Sequence, residues 1–148
     1  MEIRTVAPGF AVGAQVFPAD VALLARAGFR AVVCNRPDGE TAGQPDFAQV
    51  EEAARAHGLA AHYLPAESGK VSDEQARRFA ELLEELPQPV LAYCRSGMRS
   101  CTLWALARAQ AGDPPVPAIV HAAAAAGFNL EGLAPRLAAQ GGPEATTR

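Results

Sequence analysis

Apolar positions along the chain alternate between short continuous runs and stripes with helical spacing, and the alternation continues from Phe10 to Ala139. Phe10 to Val16 predicts a first strand. Pro18-Ala19-Asp20 opens a helix that Gly28 stops. Phe29 to Asn35 is a buried-strand run, followed by a polar loop from Arg36 to Pro45. Asp46 and Gln49 form a capping box for a helix from Phe47 to His57. Leu59 to Leu64 predicts the next strand. Ser72 and Gln75 cap a helix from Asp73 to Leu86, which carries Ala76, Phe79, Leu82, Leu83 and Leu86 on one face. Pro89 to Ala92 is a further strand, and helical stretches follow over Thr102–Ala111, Pro117–Ala126 and Leu130–Ala139. This succession predicts an α/β fold: a single domain with a mainly parallel central sheet and helices on both faces. Residues 1–140 are expected to form the domain, and 141–148 a flexible tail. In such a sheet the ligand site lies beyond the carboxyl ends of the strands. Three loops then share one rim: Asn35 to Glu40, Pro65 to Lys70, and the loop after Ala92.

Composition narrows the function classes. The 148 residues suit one domain, and the formal charge of −3 argues against nucleic acid or an anionic membrane surface as partner. No apolar run is long enough to span a bilayer, and Met1-Glu2-Ile3-Arg4 lacks the apolar core of a secretory signal. Cys34, Cys94 and Cys101 have no zinc-site spacing, and His57, His62 and His121 have no ligand spacing. Neither metal nor cofactor is expected, and free thiols point to the cytoplasm.

The chemistry concentrates in Tyr93-Cys-Arg-Ser-Gly-Met-Arg-Ser100. A strand delivers Cys94 and a helix begins near Arg99, so the intervening N–H groups can converge on one anion at the positive helix end. That field favours thiolate and makes Cys94 the expected nucleophile. Arg99 adds a planar donor fork. Arg95, Ser96, Gly97, Met98 and Ser100 complete the anion-binding loop. Asp38 or Glu40 is expected to orient Arg36 or Arg99, and Arg36 to pair with Asp38 or with substrate. Cys34 is a candidate resolving thiol, Cys101 a packing residue, and Trp104 and Phe79 core.

The strand–cysteine–loop–arginine–serine–helix pattern resembles cysteine-dependent phosphatases of the dual-specificity type. That resemblance implies Glu67, with Asp38 as second candidate, for the general acid. Two departures stand out: Tyr93 replaces the histidine usual before the cysteine, and four residues rather than five separate Cys94 from Arg99. The shorter spacing and the string Cys-Arg-Ser-Gly-Met-Arg-Ser are similar to rhodanese-type sulfurtransferases. Over about residues 3–140 the chain resembles the bacterial phosphatase-like domains of beta-lactamase-hydrolase-like proteins. Gln15–Asp20, Asn35–Glu40, Gly43-Gln44-Pro45, Leu91–Ser100, Leu103–Leu106 and Ala126–Leu130 carry that match. This family implies a phosphatase-type fold and an association with persulfide-oxidising proteins.

One residue fewer removes roughly 3.5 Å of contour, and a smaller ring of N–H groups suits a persulfide sulfur better than a phosphoryl group. The expectation is therefore a sulfurtransferase of bacterial sulfide metabolism. Cys94 takes the outer sulfur of thiosulfate or a low-molecular-weight persulfide, Arg99 and the loop hold the Cys94 persulfide, and Arg95 attracts the anionic donor. A thiol such as glutathione then removes the sulfur, with a persulfide dioxygenase as a further partner. The alternatives are a phosphatase acting through a Cys94 phosphocysteine and a non-catalytic anion- or partner-binding domain.

Overall fold

The computed structural model describes residues 2–140; the expected tail over 141–148 lies outside the described residues. Five strands form one sheet: β1 (Ile3–Ala7), β2 (Phe10–Gly13), β3 (Ala31–Cys34), β4 (Ala60–Tyr63) and β5 (Val90–Tyr93). Their order is β1-β2-β5-β3-β4, with β1 antiparallel to β2 and every other pair parallel. Six α-helices surround it: α1 (Val21–Arg26), α2 (Phe47–Ala56), α3 (Asp73–Glu85), α4 (Met98–Ala111), α5 (Val116–Ala125) and α6 (Ala134–Ala139).

The period-two side-chain alternation of the strands splits the core into two layers. Val12, Val33, Val90 and Ala92 face the cluster containing Phe79 of α3, Leu103 and Trp104 of α4, Ile119 of α5 and Leu137 of α6. Ala11, Val32, Cys34, Leu91 and Tyr93 face Val21 and Leu24 of α1 and Phe47, Val50 and Ala54 of α2. β5 lies mid-sheet and is buried on both faces, so the strand that delivers Cys94 is held rigidly. α4 is buried along most of its circumference, and Phe10 stacks on its Trp104 with centroids 6.3 Å apart.

The predicted α/β class and the order of elements hold, with three corrections. The strand expected from Phe10 to Val16 is the second arm of a hairpin. Its first arm, β1, is half-exposed at the sheet edge and carries no clean alternation. Pro18–Asp20 is a separate 3₁₀ turn before α1. The last stretch is likewise a 3₁₀ turn, Glu131–Leu133, followed by α6. At α3 the capping box forms in both directions, with Gln75 N–H on Ser72 Oγ at 3.0 Å and Ser72 N–H on Gln75 Oε1 at 2.9 Å.

Candidate active site

Cys94 follows β5 directly, and its N–H donates to the Gly13 carbonyl at 3.3 Å. Three residues later Gly97 adopts φ +102°, a conformation open to glycine at little cost. This turns the chain into α4, and the Gly97 N–H donates to Cys94 Sγ at 3.1 Å. An N–H aimed at sulfur from a helix amino end stabilises negative charge there. Phe128, from the segment after α5, closes over the turn: a Cβ at position 97 would lie 2.9 Å from its Cζ. Cys94 is only 1 % exposed.

Arg99 sits in the first turn of α4 and is buried. Its Nη1 and Nη2 grip Glu40 Oε2 and Oε1 at 2.8 and 3.0 Å, and Nη1 also donates to the Ala66 carbonyl at 3.0 Å. Of five guanidinium donors, three are used. Among the described residues nothing accepts from Nε–H or the second Nη2–H, which point along the same edge. Arg99 thus keeps one planar fork for an oxyanion while its other fork is fixed by the protein.

Glu40 joins two buried cations, because its Oε1 also accepts Arg36 Nε–H at 2.9 Å. Arg36 continues to Gln15 Oε1 at 2.9 Å and Thr41 Oγ1 at 3.2 Å. The hydrogen bond from Arg99, then that from Arg36, holds the Glu40 carboxyl below the usual glutamate range despite some desolvation. The same pairing raises Arg99 further above its already high value. Loops after β2, β3 and β4 therefore converge on the arginine delivered by β5 and α4. The three-loop rim expected from the sequence is present, and Gln15 adds a fourth loop to it.

Asp38 sits elsewhere in this network. The turn through Gly39, at φ +79°, brings Glu40 rather than Asp38 to Arg36. Asp38 Oδ1 instead accepts the Phe47 N–H at 2.8 Å, capping α2, while Tyr63 hydroxyl accepts the Asp38 N–H at 2.9 Å. Gln49 Oε1 takes the Asp46 N–H at 2.9 Å, so α2 is capped from both sides of its entry.

Ser100, expected in the anion-binding loop, donates its hydroxyl to Asn35 Oδ1 at 2.8 Å and is fully buried. Asn35 in turn donates to the Leu64 and Tyr93 carbonyls. This pair ties α4 to the ends of β3, β4 and β5, a role that neither residue's place in the sequence signalled. Arg95, Ser96 and Met98 are exposed at the mouth, and Ser96 Oγ accepts the Met98 N–H at 3.4 Å. Glu67 is exposed, 3.6 Å from Lys70, one residue beyond the carbonyl that Arg99 holds.

The Cys34 thiol donates to the Arg36 carbonyl at 3.2 Å, and burial pushes it up to about 11. Cys101, buried beneath the loop, is pushed up to about 12 for the same reason. Burial thus disfavours the thiolate at both positions. The buried Tyr93 hydroxyl lacks a hydrogen-bond partner of good geometry and lies in the field of the Cys34 thiol, and desolvation raises it steeply. Among the described residues, no three His, Cys, Asp or Glu side chains gather as around a metal ion. No helix there is long and apolar enough to cross a membrane.

The profile of the phosphatase-like domain of beta-lactamase hydrolase-like proteins matches residues 2–112. The chain belongs to this family. A beta-lactamase hydrolase-like protein of Agrobacterium fabrum is 34 % identical over 101 residues, 68 % of this chain and 23 % of the relative. Another, from Xylella fastidiosa, is 28 % identical over 130 residues, 88 % of this chain and 30 % of the relative. The chain thus spans less than a third of the length of these relatives. Among solved structures, a candidate phosphatase from Neisseria meningitidis superposes with a TM-score of 0.83 at 35 % identity, covering 95 % of this chain and 99 % of that one. Tk-PTP in its active form shares the fold, with a TM-score of 0.71 at 20 % identity over 91 % of this chain and 92 % of that one.

These matches overturn the expectation of a sulfurtransferase. The family is that of a phosphatase-like domain, and the fold is shared with phosphatase structures. Gly97 turns the chain directly into α4. Arg99 then lies in the first helical turn with a two-donor fork unused, and a single sulfur atom has no need of a fork.

Proposed function

We propose that this domain is a cysteine-dependent phosphatase acting on phosphate monoesters, with Cys94 as nucleophile. The observation that carries this reading is the pairing of a sulfur that accepts the Gly97 N–H with the unused Nε/Nη2 fork of Arg99. The fork matches two oxygens of a phosphoryl group, and its opposite edge is held by Glu40, so little reorganisation is needed as charge builds.

In the first step Cys94 Sγ bonds to phosphorus as the ester P–O bond breaks, and the leaving oxygen takes a proton from a carboxylic acid. Glu67 fits that role best, since Asp38 caps α2 and Glu40 is saturated by two guanidinium groups. In the second step water attacks phosphorus, the S–P bond breaks, and the Glu67 carboxylate takes the water's proton as inorganic phosphate leaves. Three free cysteines suit a reducing compartment, and we assign the cytoplasm.

The test is hydrolysis of an aryl phosphate, its inhibition by vanadate, and acid-quench trapping of phosphorylated protein. Wild-type enzyme is expected to give all three, with the phosphate mapped to Cys94, and Cys94→Ser to give no turnover while still binding vanadate. Turnover retained by Cys94→Ser, or absent from folded wild-type protein across a panel of aryl and alkyl phosphates, refutes the assignment.

A further inference from the structure

We infer that the substrate is a small phosphate monoester carrying a second anionic group, bound at the mouth of the site by Arg95 and Arg136. The inference rests on the phosphatase reading above and specifies its substrate class. A cavity of about 350 Å³ opens beside the loop, lined among others by Arg95, Arg99 and Arg136 and by the hydroxyl residues Ser68, Ser96 and Thr102; Cys94 does not line it, and Arg99 is what links it to the phosphoryl site. That volume is at the lower end for small-molecule sites, about 300–1,000 Å³. No carboxylate is among its described lining residues, and Glu67, the proposed proton donor, immediately precedes Ser68 of that lining.

The donors exceed what one phosphoryl group uses. The Arg99 fork and the N–H groups entering α4 already supply the scissile group. Arg136 comes from α6, beyond the segment matched by the family profile, so it belongs to the part of this chain that the profile leaves open. It is held in place from behind: Nε and Nη2 donate to Asp73 Oδ1 at 3.2 and 2.7 Å, and Nη2 also to the Val71 carbonyl at 2.8 Å. Nη1, with two donors, has no partner among the described residues. A guanidinium braced on one edge and open on the other loses little freedom when it binds an anion. Arg95 is exposed and makes no side-chain hydrogen bond or ion pair among the described residues. Two such groups share one small cavity with Arg99 and form there the second anion-binding position.

The experiment compares alkane-1,n-diol bisphosphates, with n from 2 to 6, against n-alkyl monophosphates of equal length, by inorganic phosphate release. Beyond the factor of two from its two equivalent ends, the bisphosphate is expected to have a kcat/KM about tenfold higher at the matching lengths. The preference should shrink as salt is raised. Arg136→Gln and Arg95→Gln are each expected to lower the ratio of bisphosphate to monophosphate kcat/KM at least about threefold, and Arg136→Lys to keep part of it. Arg95→Gln guards against a loosened α6, since its side chain holds nothing in place. Arg55→Gln, on the exposed face of α2, is the charge control and should leave the ratio unchanged. Equal kcat/KM for both substrate series in active wild-type enzyme, or a preference that survives both glutamine variants, overturns the second anion site alone. Absence of vanadate-sensitive turnover on either series overturns the phosphatase reading and this one with it.

Discussion

Replacing Glu40 by glutamine removes one negative charge from between two buried guanidinium groups while keeping the side chain's shape. The carboxylate accepts three hydrogen bonds, from Arg99 Nη1 and Nη2 and from Arg36 Nε, all between 2.8 and 3.0 Å. Removing one partner of a fully buried pair costs about 3–5 kcal/mol. The two arginine side chains are 5 and 9 % exposed but Glu40 is 25 % exposed, so solvent offsets part of the loss. An estimate of about 2–3 kcal/mol follows. For a domain of this size that is about 4–12 °C in Tm. Activity should fall further than stability suggests, by about 10²-fold in kcat/KM, because Arg99 loses the contact that aims its free fork. The pH dependence has a defined sign. The folded carboxyl lies below its ordinary value of 4.5, so its contribution is fully present above that pH and is lost as pH falls through the folded value. Thermal melts of wild type and Glu40→Gln from pH 3 to 8 should therefore show a constant gap at neutral pH that narrows only below about 4.5. A gap under about 1 °C at pH 7, or one that widens in acid, refutes the bridging role.

The other predictions address the loop and the proton. Arg99→Lys should lower kcat/KM by about 10²–10³, since a point charge cannot present two coplanar donors while also holding Glu40; this is measurable with any aryl phosphate. Gly97→Ala places a Cβ at positive φ and against Phe128, so it should cost about 1–2 kcal/mol from the backbone alone. Gly97→Ala combined with Phe128→Leu should recover only the steric part of the Tm loss, and full recovery would show that backbone strain plays no part. Glu67→Gln should slow turnover by about 10²–10⁴ for alkyl leaving groups, and far less for nitrophenolate, which leaves without a proton. Equal losses on both would remove Glu67 as proton donor.

Much of the fold is legible in the chain because β2, β3 and β5 are buried on both faces and its helices are well punctuated. Ser72 with Gln75, and Gly97 before α4, are local signals that the structure reproduces. β1 escaped because an edge strand needs only one partner and half of it faces solvent. Cys94 and Arg99 stood out because their chemistry is unusual at a strand-to-helix junction. The residues that organise them, Gln15, Asn35 and Phe128, lie in segments that carry the family resemblance, but their residue types gave no physical sign of the contacts that folding brings. Of the two carboxylates expected to orient Arg36 or Arg99, Glu40 orients both arginines, while the alternative pairing of Arg36 with Asp38 does not form; both carboxylates are near in sequence, and the Gly39 turn decides between them. The largest misjudgement concerned function. Counting residues in a loop measures contour, whereas which anion a loop accepts depends on where the helix starts and which donors remain unused.

Helix α4 is enclosed by apolar packing along most of its length, and its amino end is stapled through Ser100 to Asn35. Sulfur and guanidinium therefore stand on a floor that cannot easily be redrawn without unsettling the core. The walls are different: Ser68, Met98, Leu133 and Arg136 come from loops and helix ends at the surface, where substitutions leave that floor intact. Diversification in this architecture is thus partitioned, with reactivity inherited from the core and selectivity free to drift at the perimeter. On the phosphatase reading proposed above, domains sharing the Cys-Arg-Ser-Gly-Met-Arg-Ser string are sorted by their perimeter side chains better than by the string itself.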